Sequence, residues 1–126
     1  MRVTSEATRL DTADASWVDV CEVDAVLAGT GVAALVADQQ IAIVRTRSDR
    51  FFALSNFDPF SRAFVLARGL VGDHAGVPTI ASPIYKQRFA LETGQCLDDK
   101  AVTIPVYALR ISEGRVFVSV QIGPLP

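Results

Sequence analysis

The sequence has a single histidine, His74, and only two cysteines, Cys21 and Cys96, in 126 residues. One imidazole is too few for a metal centre built on several histidines, and it leaves Ser-His-Asp catalysis with one possible base. Neither cysteine has a second Cys or His within four positions, which excludes zinc ribbons and cysteine-ligated clusters. We therefore expect reduced, at least half-buried thiols, a solvated loop histidine and no metal site.

The chain also lacks an excess of charge and a long apolar run. Its 12 basic and 14 acidic residues give a net charge of −2, so no strong field predicts a nucleic-acid or anionic membrane partner. The apolar stretch 26–37 is broken by Gly29, Thr30 and Gly31, far below the ~20 residues of a membrane span. Residues 1–6 show no apolar signal segment, and the expected location is cytoplasmic.

What the sequence does contain is typical of a small β protein. Half the residues are apolar and 21% are charged, which suits one globular domain. We predict a flexible lead-in over 1–15 and a single domain over 16–126. The only helix candidate is a short turn at 24–27. Short apolar or alternating runs predict strands at 16–21, 32–37, 40–46, 51–55, 63–66, 78–81, 88–92, 102–111 and 115–121.

Two hairpins are well indicated in this pattern. Strands 32–36 and 40–45 flank Ala37-Asp38-Gln39, and strands 106–111 and 116–120 flank Ser112-Glu113-Gly114. The predicted fold is therefore all-β, an antiparallel sandwich or partly closed barrel. Between strands 51–55 and 88–92 the regularity weakens, and such excursions on rigid sheets commonly carry the functional site.

The excursion carries no recognisable catalytic set. The chain has no G-x-S-x-G element, and the glycines of 69–73 lack the strand-to-helix setting of a phosphate loop. The paired Asp98 and Asp99 are read as a solvated turn. The excursion does mix aromatic and basic residues, a composition enriched at the centres of protein interfaces. We expect Phe64 and Phe89 in the core, and Phe57, Phe60 and Tyr85 either in the core or at an interface.

Two segments resemble the cluster loops of a Rieske domain. Residues 52–60, Phe-Ala-Leu-Ser-Asn-Phe-Asp-Pro-Phe, are similar to the strand and first loop, which ends in Asn-x-Cys-Pro-His. Residues 82–94 are similar to the second loop, Cys-Pro-x-His, with its following strand and Thr-Gly. The cluster ligands are missing from this frame. Asp58 and Phe60 occupy the first Cys and His positions, and Ser82 and Tyr85 occupy the second pair.

A Rieske centre needs two thiolates and two imidazoles, and these four residues supply neither pair. The resemblance therefore implies a Rieske-like β fold without a cluster. We expect Phe60 and Tyr85 to fill the vacated volume, because an empty pocket of that size would lose packing energy.

The wording of segments 56–61, 65–73, 81–87 and 94–97 resembles one family that combines this frame with missing ligands. It is the small subunit of the assimilatory NAD(P)H-dependent nitrite reductase, and the resemblance spans about residues 16–120. The resemblance implies a large-subunit partner that carries FAD, an iron-sulfur cluster and siroheme and reduces nitrite to ammonium. It implies no catalytic residue and no cofactor in this chain.

The leading hypothesis is a non-catalytic subunit whose two degenerate loops, 56–62 and 82–88, lie side by side and dock on the large subunit. The predicted partner-binding residues are Phe57, Arg62, Lys86 and Arg88, because Arg and aromatic side chains bury area at low entropy cost. Two other classes remain open: an electron carrier whose Rieske-type cluster has unusual ligands, and a stand-alone module that binds a small molecule or a protein.

Overall fold

The computed structural model describes residues 17–120, which form eleven strands and two short 3-10 helices. The helices are Val23–Ala25 and Leu66–Arg68. In this part of the chain, no helix has the length and apolar character needed to cross a membrane. The strands are β1 (Trp17–Glu22), β2 (Thr30–Val36), β3 (Gln39–Arg45), β4 (Phe51–Ser55), β5 (Phe57–Asp58), β6 (Ala63–Phe64), β7 (Leu70–His74), β8 (Val77–Ala81), β9 (Arg88–Ala90), β10 (Val106–Ser112) and β11 (Arg115–Ser119).

Six strands make the main sheet, in the antiparallel order β1-β11-β10-β4-β3-β2. The sheet curls until its two edge strands, β1 and β2, touch. A separate antiparallel sheet, β7-β8-β9, and the short hairpin β5-β6 complete the fold. The predicted all-β, partly closed barrel architecture is confirmed, whereas the lead-in predicted for residues 1–15 lies outside the described residues.

Strand β3 separates two apolar cores. Ile41 and Ile43 belong to the core inside the curled sheet. Ala42 and Val44 belong to a second core, between the main sheet and the β7-β8-β9 sheet. Because successive side chains of a strand point to opposite faces, a strand buried on both faces needs an uninterrupted apolar run, and Ile-Ala-Ile-Val is one.

Three hairpins turn through two residues with positive φ, as the right-handed twist of paired strands favours. The turns are Ala37–Asp38, Ala75–Gly76 and Glu113–Gly114. The first and third were predicted with one residue too many, since Gln39 and Ser112 are already paired within strands. The middle turn was missed, because its strand β7, Leu-Val-Gly-Asp-His, is mostly exposed and gives no apolar alternation.

Other boundaries also differ from the sequence prediction. Residues 102–105 lie outside the strands, and β10 begins only at Val106. The turn predicted at 24–27 is the 3-10 helix Val23–Ala25. The expected irregular excursion between β4 and β9 contains four strands and a helix, so it is more regular than its glycines and prolines indicate.

Candidate functional site

Two loops lie side by side at one end of the second core. The first loop, residues 56–62, follows β4, and the second loop, residues 82–88, joins β8 to β9. They meet where the Ser82 hydroxyl donates a hydrogen bond of 2.5 Å to Oδ2 of Asp58. The predicted adjacency of the two loops is therefore confirmed.

The first loop is fixed at its start by a buried asparagine. The Asn56 N–H donates to the Gln40 carbonyl at 3.0 Å, and its side-chain oxygen accepts the Ala67 N–H at 2.7 Å. This arrangement ties the loop to β3 on one side and to the 3-10 helix Leu66–Arg68 on the other. The chain therefore enters the loop from a rigid base.

The turn that follows is organised around Asp58. Its Oδ1 accepts the Phe60 N–H at 2.9 Å, and its carbonyl accepts the Arg62 N–H at 2.7 Å. Pro59 lies between Asp58 and Phe60, where its fixed φ suits the first central position of the turn. The turn closes with Arg62 at a φ of 62°, a conformation that non-glycine residues rarely adopt.

The second loop repeats this design. The Ser82 hydroxyl oxygen accepts the Ile84 N–H at 3.2 Å, and the Ser82 carbonyl accepts the Lys86 N–H at 3.1 Å. Pro83 takes the position after the serine, and Lys86 closes the turn with a φ of 71°. Each loop therefore runs from a residue with a side-chain oxygen, through proline, to a left-handed basic residue.

Asp58 is fully buried, yet its carboxyl group has a complete set of donors. Ser61 and Ser82 donate their hydroxyls to Oδ2 at 2.8 and 2.5 Å, and the Phe60 N–H donates to Oδ1. Burial by itself raises the pKa of Asp58, but the hydrogen bonds from Ser82, Ser61 and the backbone outweigh it and hold the pKa below its ordinary value. The group is therefore an anion at neutral pH.

The two positions that were expected to fill a vacated cluster pocket behave differently. Phe60 is half-buried, and its ring packs 6.2 Å from that of Phe89 at the edge of the second core. Tyr85 is 59% exposed. The prediction that Tyr85 fills the pocket is wrong, because the direct contact of Asp58 with Ser82 closes the space between the loops and the tyrosine side chain remains outside.

These residues do not fit the [2Fe-2S] cluster for which the Rieske frame is known. Both carboxylate oxygens of Asp58 already accept hydrogen bonds, and the Ser82 hydroxyl donates to one of them. The Phe60 ring has no lone pair to bind a metal. The free cysteines Cys21 and Cys96 are buried, one in each core, as predicted for reduced thiols. Among residues 17–120, no three His, Cys, Asp or Glu side chains lie close enough to hold a metal ion.

Of the predicted partner-binding residues, Arg62 and Lys86 are exposed, and neither side chain has a hydrogen-bond or ion-pair partner within the described residues. Phe57 is half-buried, with its ring 5.0 Å from that of Phe64. Arg88 is committed within the chain, because its Nη2 lies 2.9 Å from Oδ1 of Asp98. The backbone N–H of Arg88 also donates to the same carboxylate at 2.8 Å, so Asp98 helps to hold the end of the second loop in place.

Sequence reasoning missed part of the exposed apolar surface. Phe64 is 53% exposed, so its predicted core position is wrong, whereas Phe89 is fully buried as predicted. Ile84, at the tip of the second loop, is 45% exposed. The sequence offers no local signal for this exposure, since Phe60 takes the equivalent position of the first loop and packs against the second core.

The chain is similar to a domain family and to individual proteins within it. The Rieske-like [2Fe-2S] domain family matches residues 16–119. The nitrite reductase (NADH) small subunit of Escherichia coli K12 is 46% identical over 101 residues, which are 79% of this chain and 94% of that protein. The NMR structure of the E. coli protein NirD superposes with a TM-score of 0.79 at 42% identity, covering 86% of this chain and 99% of that one.

A third relative differs in length. The NAD(P)H nitrite reductase large subunit of Klebsiella oxytoca is 37% identical over 105 residues, which are 83% of this chain but only 11% of that protein. In that relative, the segment similar to this chain is part of a much longer polypeptide.

Proposed function

The chain belongs to the Rieske-like [2Fe-2S] domain family and, within it, to the nitrite reductase small subunits, and from this membership we propose that it is a non-catalytic accessory subunit of an NAD(P)H-dependent nitrite reductase. In this role it docks on a large subunit that carries FAD, an iron-sulfur cluster and siroheme and reduces nitrite to ammonium in the cytoplasm. The chain itself supplies recognition rather than chemistry.

The Klebsiella relative carries this proposal. There the homologous segment and the rest of the large subunit share one polypeptide, so the two parts are always together. A small subunit, such as the Escherichia coli relative of which this chain covers 94%, needs a surface that holds it to its partner. We infer that contacts made within one polypeptide in the Klebsiella relative are made between subunits by proteins of the small-subunit kind.

The two loop tips supply a surface with interface composition. Ile84 and Tyr85 expose apolar area, and the same two loops carry the cations Arg62 and Lys86, which have no hydrogen-bond or ion-pair partner within residues 17–120. Apolar and aromatic centres with basic groups at the rim are typical of protein interfaces. Basic groups can pair with carboxylates of the partner, and this favours an acidic docking site on the large subunit.

We further propose that the chain carries no iron-sulfur cluster. The support is the donor set at the four ligand positions, none of which is a thiol or an imidazole. The purified chain is expected to be colourless, to contain less than about a tenth of an iron per monomer and to give no Rieske electron spin resonance signal. Stoichiometric iron and sulfide after anaerobic reconstitution would revive the electron-carrier hypothesis.

Reconstitution with the large subunit tests the function. The two chains are purified separately, mixed, and analysed for complex formation by size exclusion and for nitrite-dependent NAD(P)H oxidation. We expect a stable complex that contains a siroheme chain and this one, with all visible absorption on the siroheme chain. If the mixed chains elute separately and nitrite-dependent oxidation is the same with and without this chain, the accessory role is rejected in favour of a stand-alone module.

A further inference from the structure

One hydrogen bond joins the two loops. Within residues 17–120, the bond from the Ser82 hydroxyl to the Asp58 carboxylate is the single hydrogen bond between loops 56–62 and 82–88. Both partners are fully buried, and the 2.5 Å distance is typical of a hydroxyl bound to a carboxylate. Charge-assisted hydrogen bonds of this kind are about twice as strong as neutral ones.

The same two residues also fix the exposed cations. The Asp58 carbonyl accepts the Arg62 N–H, and the Ser82 carbonyl accepts the Lys86 N–H. The backbone of each basic residue is therefore hydrogen-bonded to either Asp58 or Ser82. The contact between Asp58 and Ser82 therefore links the two backbone turns that end at Arg62 and Lys86.

We propose that Asp58 and Ser82 form a clamp that holds the two loop tips in one fixed arrangement for binding the large subunit. They are positioning residues, since neither reaches the surface. This inference rests on the proposed docking role. The clamp makes the partner's affinity depend on a buried bond that the partner never touches, because loops already ordered in the free chain lose less entropy on association.

The chain offers a matched control for this clamp. Ser61 donates its hydroxyl to the same oxygen of Asp58 at 2.8 Å, but Ser61 belongs to the first loop. Ser61→Ala removes one hydroxyl bond to Oδ2 of Asp58, whereas Ser82→Ala removes the other bond to that oxygen and also the acceptor of the Ile84 N–H. Only the Ser82 bond links the two loops.

The test measures the dissociation constant between the intact chain and the purified large subunit, by titration calorimetry at physiological salt. Ser82→Ala is expected to weaken binding about tenfold, and Ser61→Ala less than about threefold. Ser82→Thr, which keeps a hydroxyl donor, is expected to bind like the Ser61→Ala protein. Thermal melts of the free chains check that each variant is folded.

Three outcomes separate the possibilities. Equal losses of affinity for Ser82→Ala and Ser61→Ala would overturn the clamp, because the bond between the loops would then matter no more than a bond within the first loop. An unchanged affinity for Ser82→Ala would also overturn it, while leaving the docking role intact. If the wild-type chain does not bind the large subunit at all, the proposed function itself fails.

Discussion

The first and second loops have the same backbone turn, but their third residues lie in opposite environments. In each, a side-chain oxygen accepts the N–H two residues later, a proline follows, and a basic residue closes the turn with positive φ. At the third position, Phe60 packs against the second core, whereas Ile84 is 45% exposed. Hydrogen bonds to one residue therefore fix the shape of each loop, while the neighbouring core decides which side chains are buried and which are exposed to a partner.

The largest effect is expected from the residue that organises the first loop. Asp58→Ala leaves the hydroxyls of Ser61 and Ser82 and the N–H of Phe60 without their acceptor, so the free energy of unfolding should fall by about 3 kcal/mol or more. Ser61→Ala removes one donor and should cost about 1 kcal/mol. Urea denaturation measures both. Similar losses in the two variants would mean that Asp58 is not the organising residue.

The third positions of the two loops give the next largest difference. A fully buried phenylalanine costs ~3–5 kcal/mol when truncated, and for the half-buried Phe60 we expect about 2 kcal/mol from Phe60→Ala. Ile84→Ala should change the unfolding free energy by less than about 0.5 kcal/mol. The same variant should weaken binding to the large subunit. A larger stability loss for Ile84→Ala would reverse the assignment of anchor and presented side chain.

Charge reversal at the loop ends separates this surface from the distant hairpin turn of β10 and β11. Lys86→Glu or Arg62→Glu should weaken large-subunit binding about tenfold, mostly through a slower and less salt-dependent association rate. Glu113→Lys, in that distant turn, should leave the affinity unchanged. Arg88→Glu is a poorer probe, because it also breaks the ion pair with Asp98. Wild-type affinity in both loop variants, measured by calorimetry, would move the docking surface elsewhere.

Acid pH should act through Asp58, whose carboxylate accepts hydrogen bonds within the first loop and from Ser82 of the second loop. The pKa of Asp58 is lower in the folded chain than in an unfolded one, so its contribution is fully present above the unfolded pKa and is lost as pH falls through the folded pKa. Wild-type stability should therefore fall more steeply below about pH 4 than that of Asp58→Asn. Parallel acid limbs in urea titrations would contradict this.

The smallest effect concerns the strained residue at the end of the second loop. Lys86→Gly relieves a left-handed conformation and should raise the unfolding free energy by about 0.5 kcal/mol, after the greater entropy of unfolded glycine is subtracted. Lys86→Ala removes the same charge and keeps the strain, so its stability should not rise. Both variants should bind the large subunit equally weakly. Thermal melts and calorimetry on the pair therefore distinguish strain from charge.

Prediction from sequence was most successful where one local rule acts alone. The uninterrupted apolar run of β3 and the Glu113–Gly114 turn were recognisable because burial on both faces and positive φ each demand particular residues. Strand β7 was missed because pairing with its partner β8, rather than an alternating pattern in its own sequence, holds it in the sheet. Phe64 was misplaced for a related reason, since the two-residue strand β6 lies in a surface hairpin and its alternation has no core to face.

The all-β class, the position of the two loops and the absence of thiolate and imidazole ligands within them could be predicted from the sequence, because these depend on residue types and local spacing. That Asp58 and Ser82 bond to each other, that Phe60 turns inward and that Tyr85 stays outside could be seen only in the folded structure. These features depend on residues 24 positions apart along the chain meeting at 2.5 Å. Long-range contacts of that kind are fixed by the packing of two sheets around a shared core, which no local pattern encodes.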